Sequence, residues 1–194
     1  MITVAIIPAR GGSRRIPHKN RRLFHGKPII EYSINAAKTT GLFDRILVST
    51  DDPLIAEIAM DCNAWALYRK AEYCRDDVGT QEVIAQCANL VRADLICGIY
   101  PTAPLMLGSD IERGYRVMQE HQDRQYAMSV GTEPLQDAGQ FYWARAQALE
   151  RRRDLLAAHT AMIPIATDRV CDINTEDDWA RAEKMYAALH GEEK

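Results

Sequence analysis

Apolar residues arrive along this chain in short blocks, and the polar stretches between them alternate between turn-like and helical spacing. ITVAII (2–7) is an unbroken, largely β-branched run, which predicts a strand buried on both faces of a parallel sheet. PIIEYSINAAKTTG (28–41) sets Ile30, Ile34 and Ala37 at helical spacing, with Pro28 at a first-turn position and Gly41 as a stop. RILVSTDD (45–52) predicts a strand ending in two carboxylates, DPLIAEIAMDC (52–62) a helix, and AWALY (64–68) a strand. TQEVIAQCANLV (80–91) predicts a helix, and DLICGIYPTAP (94–104) a strand that runs into a proline-flanked loop. SDIERGYRVMQEH (109–121) reads as a helix capped by Ser109 or Asp110, with Ile111, Tyr115 and Met118 on one face. There follow a short strand YAMSV (126–130), an apolar stretch GQFYWA (139–144) and a basic-rich helix over RAQALERRRDLLAA (145–158). A strand near MIPI (162–165), the segment RVCDIN (169–174) and a final amphipathic helix over EDDWARAEKMYAAL (176–189) complete the pattern.

Strands that keep alternating with helices predict an α/β fold with a mostly parallel sheet flanked by helices. A length of 194 residues suits one domain, 1–194, with no repeat or low-complexity segment. Ligands in such sheets bind at the carboxyl ends of strands, which singles out the loops 8–20, 51–52 and 101–104. The formal net charge of -3 argues against a surface built for nucleic acid. Basic residues therefore matter only where they cluster. The five cysteines, Cys62, Cys74, Cys87, Cys97 and Cys171, contain no C-x-x-C pair, and free thiols in a reducing cytoplasm are expected. The start of the chain lacks the basic region and cleavage pattern of a signal segment, and no apolar run reaches membrane-spanning length, so no membrane partner is expected.

The densest chemistry lies in IIPARGGSRRIPHKN (6–20), directly behind the first strand. Gly11 and Gly12 would let backbone N–H groups approach an anion, while Arg10, Arg14, Arg15 and Lys19 supply charge and forked donors for phosphate oxygens. That composition predicts a polyphosphate cradle, although neither G-x-x-x-x-G-K-[ST] nor G-x-G-x-x-G is present. The bland alternative is a solvated basic loop. Asp51 could orient a metal or a ribose; Asp52 reads more simply as the N-cap of the next helix. In YPTAP, two prolines fix the backbone around Thr102, giving either a rigid polar rim for a nucleobase or a structural turn. Asp172 and Asn174 are two apart, so on a strand they would share a face and could hold one Mg²⁺; TEDD is equally a good helix start. Trp143, Trp179 and Tyr186 read as core or interface aromatics, ERRRD as a solvated face, and none of the five histidines as a ligand.

Taken in order, ARGGSRRIPHKN, GKPIIEYSINAA, FDRILVSTDD, the Gly79-Thr80 pair before a helix, YPTAP and DINTEDDW resemble the acylneuraminate cytidylyltransferases. That family activates nonulosonic acids such as sialic, legionaminic and pseudaminic acid with CTP, and DAGQFYW is most similar to its pseudaminic acid branch. The resemblance implies a Rossmann-like nucleotidyltransferase fold, Mg²⁺ dependence and a homodimer. By position it implies that Arg10 and Lys19 contact the CTP phosphates, with Ala9, Gly11, Gly12, Ser13, Arg14 and Arg15 completing the loop. Thr80 and Thr102 would lie by the cytosine or ribose. Asp172 matches the first family carboxylate for Mg²⁺, and Asn174 stands where the family has a second Asp. Arg10, Lys19 and Asp172 would be the catalytic set.

The implied reaction is in-line attack of the sugar's anomeric hydroxyl on the α-phosphorus of CTP, with pyrophosphate leaving and the cationic loop offsetting its charge. Two departures qualify the match: Asn174 itself, and GTEPLQ (131–136), where relatives carry several tens of residues that serve the sugar pocket and dimer contact. They keep open a degenerate nucleotide-binding protein without catalysis, and a related nucleotidyltransferase acting on another sugar.

Overall fold

The first strand shows why the sheet is covered on both sides. In a computed structural model that describes residues 1–151 and 154–191, β1 (Thr3–Pro8) sends Val4 and Ile6 into one apolar layer and Ala5 and Ile7 into the other. A strand with only one buried face would alternate apolar with polar residues; this one cannot. Parallel to β1 on one side runs β4 (Arg45–Thr50), followed outward by β5 (Trp65–Tyr68). On its other side lies β6 (Leu95–Ile99), also parallel. Beyond β6 come β8 (Leu135–Arg145), β7 (Tyr126–Thr132) and β9 (Thr160–Ile165), giving the order β5-β4-β1-β6-β8-β7-β9. β8 is antiparallel to both its neighbours, so six strands share one direction and β8 opposes them. The apolar stretch 139–144 is thus the return arm of a hairpin. Its turn, Glu133-Pro134, is only two residues long, because Thr132 already pairs with Leu135.

Helices fill both faces. On one side, α1 (Ile29–Thr39), α2 (Pro53–Asp61) and α4 (Gly108–Glu120) bury Ile30, Ile34, Ile55, Ile111 and Met118 against Ala5, Ile7 and Trp143. On the other, α3 (Thr80–Val91) and α5 (Ala146–Glu150) bury Val83, Ile84, Cys87 and Leu149 against Val4, Ile6 and Tyr142. A small hairpin of β2 (Leu23–Phe24) and β3 (Lys27–Pro28) and the last helix, α6 (Glu176–His190), meet in a third cluster. There Ile16, Phe24, Ile29, Ile173 and Trp179 pack together.

Three expectations need correction. The N-cap of α4 is Leu107, not Ser109 or Asp110, and makes no side-chain cap. Asp110 instead turns inward, almost fully buried, where Arg113 and Arg169 pair with it. The helix expected over 145–158 stops at Glu150. After it, the Leu155 carbonyl accepts from the Thr160 hydroxyl (2.5 Å), a turn that brings the chain back in register as β9 beside β7. Arg152 and Arg153, within that expected helix, lie outside the described residues. Finally, 170–174 is irregular backbone, so strand alternation is not what brings Asp172 and Asn174 together.

Candidate active site

The strand order reverses between β1 and β6: the chain first builds outward through β4 and β5, then returns to lay β6 on the other flank of β1. Loops leaving two such strands diverge, and a crevice opens at their carboxyl ends. Here it has a volume of about 630 Å³ and is lined from the first loop by Arg10, Ser13, Arg14, Arg15 and Lys19. Thr80 opens α3 on one wall, Tyr100 and Thr102 follow β6, and Asp172 and Asn174 face in from the segment before α6. Thr102 is largely buried. The first turn of α3 has no side-chain cap, so its N–H groups add to the positive potential near Thr80.

The first loop is held rigidly. Ile16 is fully buried in the third cluster, and Asn20 donates from its amide to the Arg10 carbonyl (2.9 Å). Lys19 donates to the carbonyl of Ile173 (2.7 Å), tying the loop to the far wall. Burial pushes the Lys19 ammonium below its usual pKa, and Asp172 partly offsets this. The Gly11 N–H is already used, donating to the Asp51 carboxylate at 2.8 Å. The lack of a side chain at Gly11 serves a close approach, since a Cβ there would sit 2.9 Å from the Cβ of Asp52. Ala9 is buried and gives its N–H to Ser49, so it belongs to the sheet edge and not to the crevice lining. Gly12 faces a shallower groove beside Arg10, Arg14 and Asp76. Charge on side chains, more than loop N–H groups, makes this cradle.

Asp51 is therefore an anchor of the loop. Asp52 is the N-cap expected of it, accepting from Leu54 N (2.9 Å), and it also pairs with Arg21. Four further residues shape the site without having stood out in the sequence. Asp76 forms ion pairs with Arg10 at 2.7 Å and with Arg14 at 2.6 Å. Arg10 also donates to the Cys74 carbonyl (3.1 Å). Arg69 is almost fully buried and bonds the Ser49 carbonyl (2.7 Å). Its only signal was an arginine directly after an apolar strand. Asp137 stands near Asp172: burial of part of its surface and the Asp172 charge raise its pKa, although its side chain reaches solvent and Gly139 N donates to it (2.8 Å). Tyr100 is shifted upward too, by burial first and then by Asp137 and Asp172.

Asp172 and Asn174 do meet, through a different device from the one expected. The Asn174 amide nitrogen donates to the Asp172 carboxylate at 2.5 Å. Asp178 fixes Asn174 in turn, accepting from its backbone N–H at 3.1 Å while also closing a capping box with Thr175. So the helix start and the carboxylate position are one construction.

A cationic loop after the first strand of a doubly wound sheet, facing Asp172 across a crevice of this size, fits a nucleotidyltransferase. More narrowly, the cytidylyltransferase family model matches residues 4–189, and the chain belongs to that family. Over 228 aligned positions the chain is 29% identical to a pseudaminic acid cytidylyltransferase of Campylobacter jejuni, covering 98% of each protein. The alignment is longer than the 194 residues here, so that relative carries residues with no counterpart in this chain. The chain is also 28% identical to an N-acylneuraminate cytidylyltransferase A of Danio rerio, over 93% of this chain and 50% of that protein. Among solved structures, a CMP:2-keto-3-deoxy-manno-octonic acid synthetase complexed with CTP superposes with a TM-score of 0.81 at 16% identity. The match covers 97% of this chain and 100% of that one, a likeness of fold. No described helix is long and apolar enough to cross a membrane.

Proposed function

We propose that the protein transfers CMP from CTP to a nonulosonic acid, with pseudaminic acid the foremost acceptor, and releases pyrophosphate. The observation that carries this reading is the single crevice in which Arg10, Arg14, Arg15 and Lys19 face Asp172. The likeness to the Campylobacter jejuni pseudaminic acid enzyme over nearly the whole of both chains supports the choice of acceptor. The arginines and Lys19 bind the triphosphate and hold its β- and γ-phosphates in line with the bond to be broken. The anomeric oxygen attacks the α-phosphorus, the bond to the β-phosphate breaks, and the hydroxyl proton passes to solvent. Fixed cations next to the leaving pyrophosphate offset its growing charge without reorganising. Thr80 and Thr102 offer hydroxyls to the nucleoside.

Magnesium is the metal this donor set suits. Among the described residues no group of three or more His, Cys, Asp or Glu gathers as a cage. Mg²⁺ needs none, because it binds through one or two carboxylates together with substrate phosphates. Asp172 would hold it, with Asn174 orienting that carboxylate; when bound, the ion supplies further charge neutralisation at the phosphates. We also read the chain as one domain acting as a homodimer in the cytoplasm, the assembly to be checked by light scattering.

The test is pyrophosphate release from CTP and Mg²⁺ with a panel of acceptors: pseudaminic, legionaminic and sialic acids, 2-keto-3-deoxy-manno-octonic acid and a hexose 1-phosphate. Release with a nonulosonic acid, and a CMP-sugar product, is expected. CTP binding without turnover on any acceptor points instead to a nucleotide-binding protein, a reading favoured by the amide at position 174. A product joined through two phosphates identifies the hexose phosphate as acceptor.

A further inference from the structure

Gln140 is out of character with its surroundings. It sits on β8 next to Phe141, Tyr142 and Trp143, and like them it is almost fully buried. Its amide nitrogen donates to the Arg169 carbonyl at 2.6 Å. Only that nitrogen can face a carbonyl oxygen, so the orientation of the amide is fixed. Its own oxygen is left buried, without a partner among the described residues. A buried amide satisfied on one side only is less stabilising than an apolar residue of the same size. What the bond holds in place therefore matters more than what it adds to the core.

It holds the segment that carries Asp172. Arg169 is pinned from its other end by its guanidinium, which pairs with the buried Asp110 of α4, a carboxylate that Arg113 also engages at 3.0 Å. With its carbonyl fixed to β8 and its side chain to α4, residue 169 has little freedom, and Asp172 follows closely along the chain. β8 also meets Asp172 directly, one residue before Gln140. A Cβ at Gly139 would lie 3.1 Å from the Cβ of Asp172, and the φ of +64° there favours glycine. The loop after β6 is tied to the same point: the Gln140 carbonyl accepts from the N–H of Tyr100 at 2.9 Å, and Tyr100 and Thr102 line the crevice together with Asp172.

We propose that Gln140 is a positioning residue for the transfer: with Gly139 it seats the segment carrying Asp172 against β8 and the loop after β6, so that the carboxylate stands ready for Mg²⁺ and the triphosphate. This rests on the function proposed above, in which Asp172 holds the metal. Gln140 does not line the crevice, and so acts through Asp172.

The full chain and two variants test it. Gln140→Leu removes both the bond to Arg169 and the unpartnered oxygen, which affect stability in opposite directions, so its Tm should stay within about 2 °C of wild type. The Mg²⁺ concentration for half-maximal CMP transfer should rise about ten-fold, as for other residues that orient a metal ligand. The KM for CTP at saturating Mg²⁺ should stay within about two-fold, because the cationic loop is held by other contacts. The same ten-fold shift is expected without turnover, in the Mg²⁺ concentration that half-completes the rise in Tm of the CTP complex with no acceptor present. Gly139→Ala presses on Asp172 from the same corner and should move both Mg²⁺ midpoints in the same direction, while melting a few degrees lower because alanine is strained at that φ. The proposal is overturned if Gln140→Leu leaves the Mg²⁺ midpoints where they were, if the KM for CTP rises by the same factor, or if the variant loses its fold, which makes Gln140 a residue of stability alone. If wild type transfers CMP to no acceptor, the function proposed above fails and the positioning role fails with it; if wild type is active and the midpoints of Gln140→Leu match it, only the positioning role fails.

Discussion

Asp76 offers the sharpest test of how the cradle takes a triphosphate. Its carboxylate holds Arg10 at 2.7 Å and Arg14 at 2.6 Å, so on the function proposed above an entering phosphate chain draws both guanidinium groups away from it. Replacing Asp76 with Ala removes that competition. The magnitude follows from exposure: Arg14 is 82% exposed and Asp76 44%, which puts their pair at the bottom of the range for surface ion pairs, whereas Arg10 is only 33% exposed. Exposed pairs are worth about 0.2–1 kcal/mol each, so the two together amount to about 1 kcal/mol, or roughly a five-fold gain in affinity for CTP. Arg10 does not lose its orientation in the variant, because its bond to the Cys74 carbonyl remains. Calorimetric titration of CTP into wild type and Asp76→Ala at low and at high salt measures the effect. Affinity should rise in the variant, and the ratio should shrink with salt as these pairs are screened. Weaker CTP binding in the variant would refute the reasoning and make Asp76 a contributor to the bound triphosphate.

Three further outcomes follow from the segment before α6 and its neighbour Asp137. Asn174→Asp replaces a donor 2.5 Å from Asp172 by a second carboxylate, so the variant should melt a few degrees lower without metal, recover with Mg²⁺, and turn over faster at limiting Mg²⁺; an unchanged rate across a Mg²⁺ titration counts against a ligand role at 174. Thr175→Ala opens the capping box of α6 and should cost about 1 kcal/mol, about 2–4 °C in Tm, with a larger fall in kcat because Asp178 also fixes Asn174; a loss of stability with kcat intact would separate the cap from the site. Because burial and Asp172 raise the pKa of Asp137, the folded state binds that proton more tightly than the unfolded chain; its contribution to stability is full below the unfolded pKa and lost as pH rises through the folded one. Asp137→Asn should therefore match wild type in Tm at acid pH and exceed it increasingly as pH rises through that window, and a Tm difference independent of pH would contradict the assignment.

Which parts of the molecule were legible beforehand depends on how far apart the cooperating residues lie. The run ITVAII required burial on both sheet faces, and the spacing of Ile30, Ile34 and Ala37 required a helix, because both patterns are decided by neighbours within a turn or two of chain. The arginines and the lysine of residues 10–19 announced a local cluster of positive charge behind a buried strand, and the fold gathers it along one crevice. The helix expected over 145–158 failed for the opposite reason: its spacing was acceptable locally, but the chain had to turn so that β9 could pair with β7.

By itself the sequence determined the α/β class, six of the nine described strands and the main helices, and the position of the cationic loop, all from patterns short in chain length, while it left the β2–β3 hairpin unseen. It could not give the direction of β8, because alternation of apolar residues has no polarity along the strand; pairing with β6 and β7 decided that. Nor could it show that Asp51 anchors Gly11, that Lys19 bonds the carbonyl of Ile173, or that Asp76 bridges two arginines of the loop. Those contacts join residues 40, 154 and more than 60 positions apart. Only the folded chain brings such pairs within reach, and with them it turns a run of charged residues into a crevice with two walls.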